Sequence, residues 1–163
     1  MALHRNKKKD IIKKINDIAQ KSLSIITADP SGITVNNINQ LRKKSIQSYV
    51  KIYVIKNTLL KKSLINTNFY KLTDILTGPT LIAFSLKHPG SASRLFIKFN
   101  KKNKKFKIKT AIYENKILKE NEIIDLALLP THIEAVIKFI LLLKEISLGK
   151  FIRLLNHIIR KSI

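Results

Sequence analysis

The stretch Val54-Ile55-Lys56-Asn57-Thr58-Leu59-Leu60-Lys61-Lys62 carries residue types suited to holding a phosphate. Lys56 stands just before a helix start, and Lys61 and Lys62 follow about one turn in. Either Asn57 or Thr58 offers a side-chain oxygen that can accept a free backbone N–H and cap that helix. Unpaired amides, the positive end of the helix dipole and three lysines together suit an anion. The same residues also read as a solvated basic helix, and the rest of the chain has to decide between the two. A second turn, Gly78-Pro79-Thr80, precedes an apolar run and leaves its backbone open to close approach. Alone it is a structural turn. Arg5, Lys8 and Lys9 belong to a basic helix that reads either as a solvated face or as an arm along a phosphate backbone.

The charge balance favours a polyanionic partner. The 163 residues carry a net charge of +22, and 27 of the 32 basic residues are lysine. A surface so charged repels itself and attracts nucleic acid or an anionic membrane. Lys, Ile and Asn share AT-rich codons, so codon drift accounts for part of the excess. With 45% hydrophobic residues the chain has enough apolar surface for a core, and its length suggests one main domain. The absence of cysteine excludes disulfides and thiolate metal sites. The charged stretch from Met1 to Asp10 lacks the apolar run of a signal peptide. No apolar run approaches the roughly 20 residues of a membrane span. These features point to a soluble cytoplasmic protein.

Catalysis finds no support. The ten acidic residues are scattered, and His4, His88, His132 and His157 have neither ligand spacing nor a nearby carboxylate. No glycine-rich phosphate fingerprint, nucleophile elbow or metal motif occurs. No cofactor, metal or small-molecule substrate is expected.

The elements that must position the basic turns follow from periodicity. Ile11, Ile12, Ile15 and Ile18 recur at helical spacing within Arg5 to Ser22. Leu23 to Ala28 reads as a strand closed by the turn Asp29-Pro30-Ser31-Gly32. Thr34 caps a helix from Val35 to Gln47, and Val50, Ile52 and Val54 alternate along a second strand. A short helical piece over Phe69 to Leu76 and a strand over Leu81 to Ser85 follow. After His88-Pro89-Gly90 comes a helix from Ser91 to Lys101, then a strand marked by Phe106, Ile108, Thr110 and Ile112. Asn121 to Leu128 forms a further helix. Strands separated by helices indicate a layered α/β sandwich, and crossover-length connections lead us to expect a mixed sheet, partly parallel.

Leu129-Pro130-Thr131 marks a boundary between residues 1–130 and 131–163. Thr131 and Glu134 form a capping box. Beyond them runs a helical pattern of about thirty residues, roughly 45 Å long. Its apolar positions include Ile137, Ile140, Leu141, Leu143, Leu148, Ile152, Leu155 and Ile159. That is more apolar surface than a free helix exposes to water, so it either folds back or binds another protein. Ser147-Leu148-Gly149 divides it into two apolar segments.

The ordered motifs resemble one family, the bacterial ribosomal stalk-base proteins, protein ten of the large subunit. The resemblance is carried by Met1-Ala2-Leu3, by Asp29 with Gly32-Ile33-Thr34-Val35, and by Lys56-Asn57-Thr58-Leu59-Leu60-Lys61-Lys62. Gly78-Pro79-Thr80-Leu81-Ile82-Ala83, His88-Pro89-Gly90 and Leu129-Pro130-Thr131 continue it in order to the helix boundary. Each motif alone is weak, and the ordered set is specific. The resemblance implies an α/β domain that binds large-subunit rRNA at the stalk base, near protein eleven. It also implies a C-terminal helix carrying dimers of the acidic stalk protein, two of them for a helix of this length, which recruit translational GTPases. By position, the rRNA candidates are Gly32, Lys56, Asn57, Thr58, Lys61, Lys62, Gly78, Pro79 and Thr80, and the basic helix adds Arg5 and Lys8. Two departures stand out: Ser31 occupies a place often basic in the family, and the run Lys101, Lys102, Lys104, Lys105 is richer in lysine. That run reads as a solvated face, as codon drift or as non-specific attraction for RNA. Two rival readings remain, a non-specific basic nucleic-acid-binding protein and a protein that lies on membranes by its amphipathic C-terminal helix.

Overall fold

Alternate residues of the central strands supply two separate cores. In the computed structural model, which describes residues 5–103 and 105–161, β1 (Ser24–Asp29) and β3 (Leu81–Ser85) are buried almost throughout. Ile26, Ala28, Leu81 and Ala83 face one core, while Ile25, Ile82 and Phe84 face the other. This is the period-two alternation of a strand covered on both faces. The first face is closed by α2 (Val35–Gln47), α4 (Ser91–Lys102) and α5 (Glu120–Leu128), through Leu41, Phe96, Phe99 and Ile123. Phe106 packs edge-on against Phe96 and Phe99, with ring centroids 5.1 and 5.0 Å away. The second face is closed by α1 (Arg5–Lys21), α3 (Asn57–Leu64) and a 3-10 turn (Tyr70–Asp74), through Ile15, Ile18, Leu60, Leu64 and Leu72. The class is therefore the expected layered α/β sandwich.

The sheet itself corrects one expectation. Its five strands run in the order β2-β3-β1-β4-β5, with β2 at Val50–Val54, β4 at Lys107–Tyr113 and β5 at Lys116–Leu118. Every neighbouring pair is antiparallel, so the sheet is not mixed. The helical crossovers are present: α2 joins β1 to β2, and α4 joins β3 to β4, each pair sharing a direction. Each crossover skips one position, however, and a strand of opposite direction fills it, β3 in the first case and β1 in the second. The core is thus a split βαβ arrangement. β5, which periodicity did not indicate, is reached through Glu114 and Asn115, both at positive φ (48° and 61°), as a two-residue hairpin turn requires.

The chain divides into two compact units, Met1–Leu129 and Pro130–Ile163. In the second unit α6 (His132–Lys144) starts on the expected capping box. Thr131 Oγ1 accepts from the Glu134 N–H at 3.3 Å, and Glu134 Oε2 accepts from the Thr131 N–H at 2.9 Å. A π-helical segment, Glu145–Gly149, covers the expected Ser147-Leu148-Gly149 break and leads into α7 (Lys150–Lys161). An ion pair between Arg153 and Glu145 spans that segment, and Arg153 Nε donates to the Gly149 carbonyl at 3.2 Å. Met1-Ala2-Leu3, His4 and Lys104 lie outside the described residues.

Candidate nucleic-acid interface

One end of the sheet gathers the basic turns. β1 and β2 finish there, and β3 and β4 begin there, so the loops after Asp29 and Val54 and those before Leu81 and Lys107 share that end. Lys56 takes the N-cap position of α3 with extended backbone and no side-chain cap. Asn57 and Thr58 therefore do not cap the helix, contrary to the sequence expectation. The Asn57 amide turns instead to the other motif and donates to the Gly78 carbonyl at 2.8 Å. Gly78 holds a φ of 64°, a left-handed conformation that favours glycine. Thr80 is buried, and its hydroxyl donates back to the Gly78 carbonyl at 3.2 Å, which closes the turn from inside.

Lys109 binds this cluster from β4. Its Nζ donates to the carbonyls of Thr77 at 2.7 Å and Pro79 at 3.0 Å, and lies 3.7 Å from the Asp29 carboxylate. Asp29 also accepts from the Ser31 N–H at 2.9 Å. Hydrogen bonds from Ser31, side chain first and then backbone, hold the Asp29 carboxyl below its ordinary value; desolvation opposes them, and Lys109 adds a lesser lowering. Asp29 and Lys109 were not among the sequence candidates. The available signal was that Asp29 is the sole acidic residue between Ile18 and Thr73, and a lone carboxylate in a basic stretch implies a partner.

The exposed groups around this scaffold are Lys56, Thr58, Lys61, Lys62, Gly78, Pro79 and Gly32. Lys61 follows Asn57 by four positions and Lys62 follows Thr58 by four, so each shares a helix face with its partner. The Cα–Cβ bonds of a helix tilt towards its N-terminus, here the end that carries the turn. Gly32, at a φ of 75°, opens the same end of the sheet. Arg5 and Lys8 are exposed on α1. Among the described residues no hydrogen bond or ion pair ties these two to the turn cluster.

In the second unit the apolar candidates are uncovered. Ile137, Ile140, Leu141, Leu143, Ile152, Leu155 and Ile159 are all between 43% and 58% exposed, and α6 contains no buried residue. The Leu148 side chain lies outside the described residues. On α7, Phe151, Ile152, Leu154, Leu155, Ile158 and Ile159 form one apolar stripe, opposite Lys150, Arg153 and His157. Among the described residues no helix is long and apolar enough to cross a membrane by itself, and no cluster of His, Asp or Glu is placed to hold a metal.

Comparison with known proteins identifies the family. The family model described as Ribosomal protein L10 matches residues 3–101, which include both turns and Asp29. The chain belongs to the ribosomal protein L10 family. It is 70% identical to the Large ribosomal subunit protein uL10 of Buchnera aphidicola subsp. Cinara cedri, over 99% of this chain and all of that protein. It is 48% identical to the protein of the same name in Wigglesworthia glossinidia brevipalpis, over 94% of this chain and 95% of the relative. The corresponding Shewanella halifaxensis protein is 46% identical, over 95% and 94%. As an L10-family protein the chain is a structural constituent of the large ribosomal subunit, associated with the ribosome and active in translation, and it is not an enzyme.

Proposed function

We propose that residues 1–130 bind large-subunit rRNA at the stalk base, near protein eleven, and that residues 131–163 carry dimers of the acidic stalk protein. The observation that most supports the first half is the junction of the two turns. The Asn57–Gly78 and Lys109–Pro79 hydrogen bonds hold Lys56, Thr58 and the Gly78-Pro79 backbone as one surface before any RNA arrives. A preformed site loses less ordering entropy on binding. Thr80 and Lys109 act as positioning residues, while Lys56, Lys61, Lys62 and Gly32 meet the phosphates. Arg5 and Lys8 form a separate basic arm on α1.

The second half rests on the uncovered apolar surface of α6 and α7, which fits helix-in-groove recognition. The π-helical segment between them separates two apolar segments, which supports a reading of one dimer on each. Through those dimers the protein serves the translational GTPases, as the family resemblance implies, and it works in the cytoplasm.

The charge alone would also serve a non-specific nucleic-acid-binding protein, and one experiment separates the two readings. The full chain is bound to a stalk-base rRNA fragment and competed with a scrambled RNA of equal length at near-physiological salt. Preference for the rRNA fragment, lost on combining Lys56→Ala with Lys61→Ala, is the expected result. Equal competition by both RNAs would replace the rRNA reading with the non-specific one.

A further inference from the structure

The lysine run that closes α4 and leads into β4 lies at the same end of the sheet as the basic turns. Between Pro30 and Tyr113 the sequence holds seventeen basic residues and one acidic residue, Asp74. Asp74 sits in the 3-10 turn, whose Leu72 packs in the α1–α3 core on the other face of the sheet from α4. Asp29, whose Cα pairs with that of Lys107 across the β1–β4 ladder, is already engaged by Lys109 and Ser31; α5, which packs beside α4, carries Glu120, Glu122 and Asp125, and Glu122 is engaged by the Lys119 N–H. Lys101, Lys102, Lys105 and Lys107 are all exposed, and among the described residues none has a carboxylate partner. Their charge is left for a ligand.

The run is also held in place. Asn37 Nδ2, in the first turn of α2, donates to Asn103 Oδ1 at 2.8 Å and fixes the bend after α4. The aliphatic stem of Lys105 lies over Gly32, so close that a Cβ on Gly32 would come within 3.2 Å of Lys105 Cδ. Gly32 is thus occupied by a lysine stem as well as exposed at its turn. From Lys105 over Gly32 the path passes to the adjoining Ser31, whose N–H reaches Asp29, and on through Lys109 to Pro79, Gly78 and Asn57. Three strand spacings of about 4.8 Å separate the ladder positions of β2 and β4, roughly 14 Å in all. Groups that far apart meet different phosphates.

We infer that Lys101, Lys102, Lys105 and Lys107 form a second phosphate-contacting surface, continuous with the Lys56 turn, which grips the backbone of the same RNA. This inference rests on the rRNA reading above. Backbone contacts add affinity and salt dependence and carry no sequence information. The surface therefore raises affinity for any RNA helix that reaches across the end of the sheet, while the turns set its position.

The test uses the full chain and a stalk-base rRNA fragment, with Kd measured across a salt series. One variant replaces Lys101, Lys102, Lys105 and Lys107 with Gln. A control replaces Lys21, Lys43, Lys44 and Lys87 with Gln, removing equal charge at the opposite end of the sheet. The run variant is expected to lose about tenfold in affinity at near-physiological salt and to flatten the slope of log Kd against log salt by roughly 2 to 3. Its preference for the rRNA fragment over scrambled RNA should persist. The control should change the slope far less. Equal effects of the two variants, or an unchanged slope in the run variant, would overturn the inference and leave the turn site standing. If the wild type shows no preference for the rRNA fragment, the rRNA reading fails. The slope comparison then still decides whether the run contacts phosphate.

Discussion

The Asn57 side-chain amide donates to the Gly78 carbonyl at 2.8 Å, across 21 residues of sequence. The two turns, which flank the paired ends of β2 and β3, are thereby joined into one surface. Asn57 is half-buried, and a neutral hydrogen bond of this kind contributes about 1 kcal/mol. Asn57→Ala should lower stability by about that amount. It should also weaken binding to the rRNA fragment about fivefold, the equivalent of a similar loss in preorganisation. Urea denaturation and a binding titration on the same variant check both. Unchanged binding alongside reduced stability would make the bond purely structural.

Lys109 is the stronger tie, because its ammonium group serves two carbonyls and a carboxylate at once. Its side chain is 26% exposed, so solvent screens the pairing only in part. Lys109→Met keeps the stem and removes the charge. Two carbonyls then lose a charged donor, and the expected loss is about 2 kcal/mol. A lower urea midpoint with an unchanged m-value is the signature.

Asp29 gives the turn a pH dependence of known sign. Its folded pKa lies below the ordinary carboxylate value, chiefly through the Ser31 hydrogen bonds. Its stabilising contribution is therefore complete above the unfolded pKa and is lost as pH falls through the lowered folded value. Acid unfolding curves of the wild type and Asp29→Asn should diverge above about pH 4 and converge below it. Parallel curves across the whole acid range would mean that the carboxylate contributes nothing to folding.

Gly90 is required for a different reason. A Cβ at this position would lie 2.5 Å from the Leu126 carbonyl oxygen, a backbone atom of α5. The close approach joins the start of α4 to α5, where Arg94 also donates to the carbonyls of Ala127 at 2.8 Å and Leu129 at 2.7 Å. Gly90→Ala should therefore destabilise the chain by about 1–3 kcal/mol, as overpacking does. A thermal melt measures it, and an unaltered midpoint would show that α5 can shift at no cost.

Much of the fold was legible because local pattern decides it. Strand alternation, the Thr131–Glu134 capping box and the layered α/β class all follow from residue spacing. The sheet's hand-off between strands was not legible. A helical crossover fixes the relative direction of two strands and leaves open whether they touch, so β3 between β1 and β2 leaves no local mark. β5 escaped because three residues are too few for a period, and its Glu114-Asn115 turn lacks the glycine that usually signals a hairpin. At the candidate site the two turns could be read but their junction could not. Asparagine suits a helix cap as well as a cross-turn donor, and only the fold brings Gly78 within its reach.

The two apolar segments of the C-terminal unit lead to a prediction about stoichiometry. Residues on α6 and α7 are separated by the Glu145–Gly149 segment, so each should hold its own acidic dimer. Ile137→Glu with Ile140→Glu places two carboxylates on the first segment, and Ile152→Glu with Leu155→Glu does so on the second. These positions are 43–56% exposed, so the changes should leave the stability of residues 1–129 untouched. An acidic partner would meet both a lost apolar contact and like-charge repulsion. Native mass spectrometry with purified acidic stalk protein should show two dimers on the wild type, one on either double variant and none on the quadruple. Loss of both dimers from a single double variant would mean that α6 and α7 act as one continuous site.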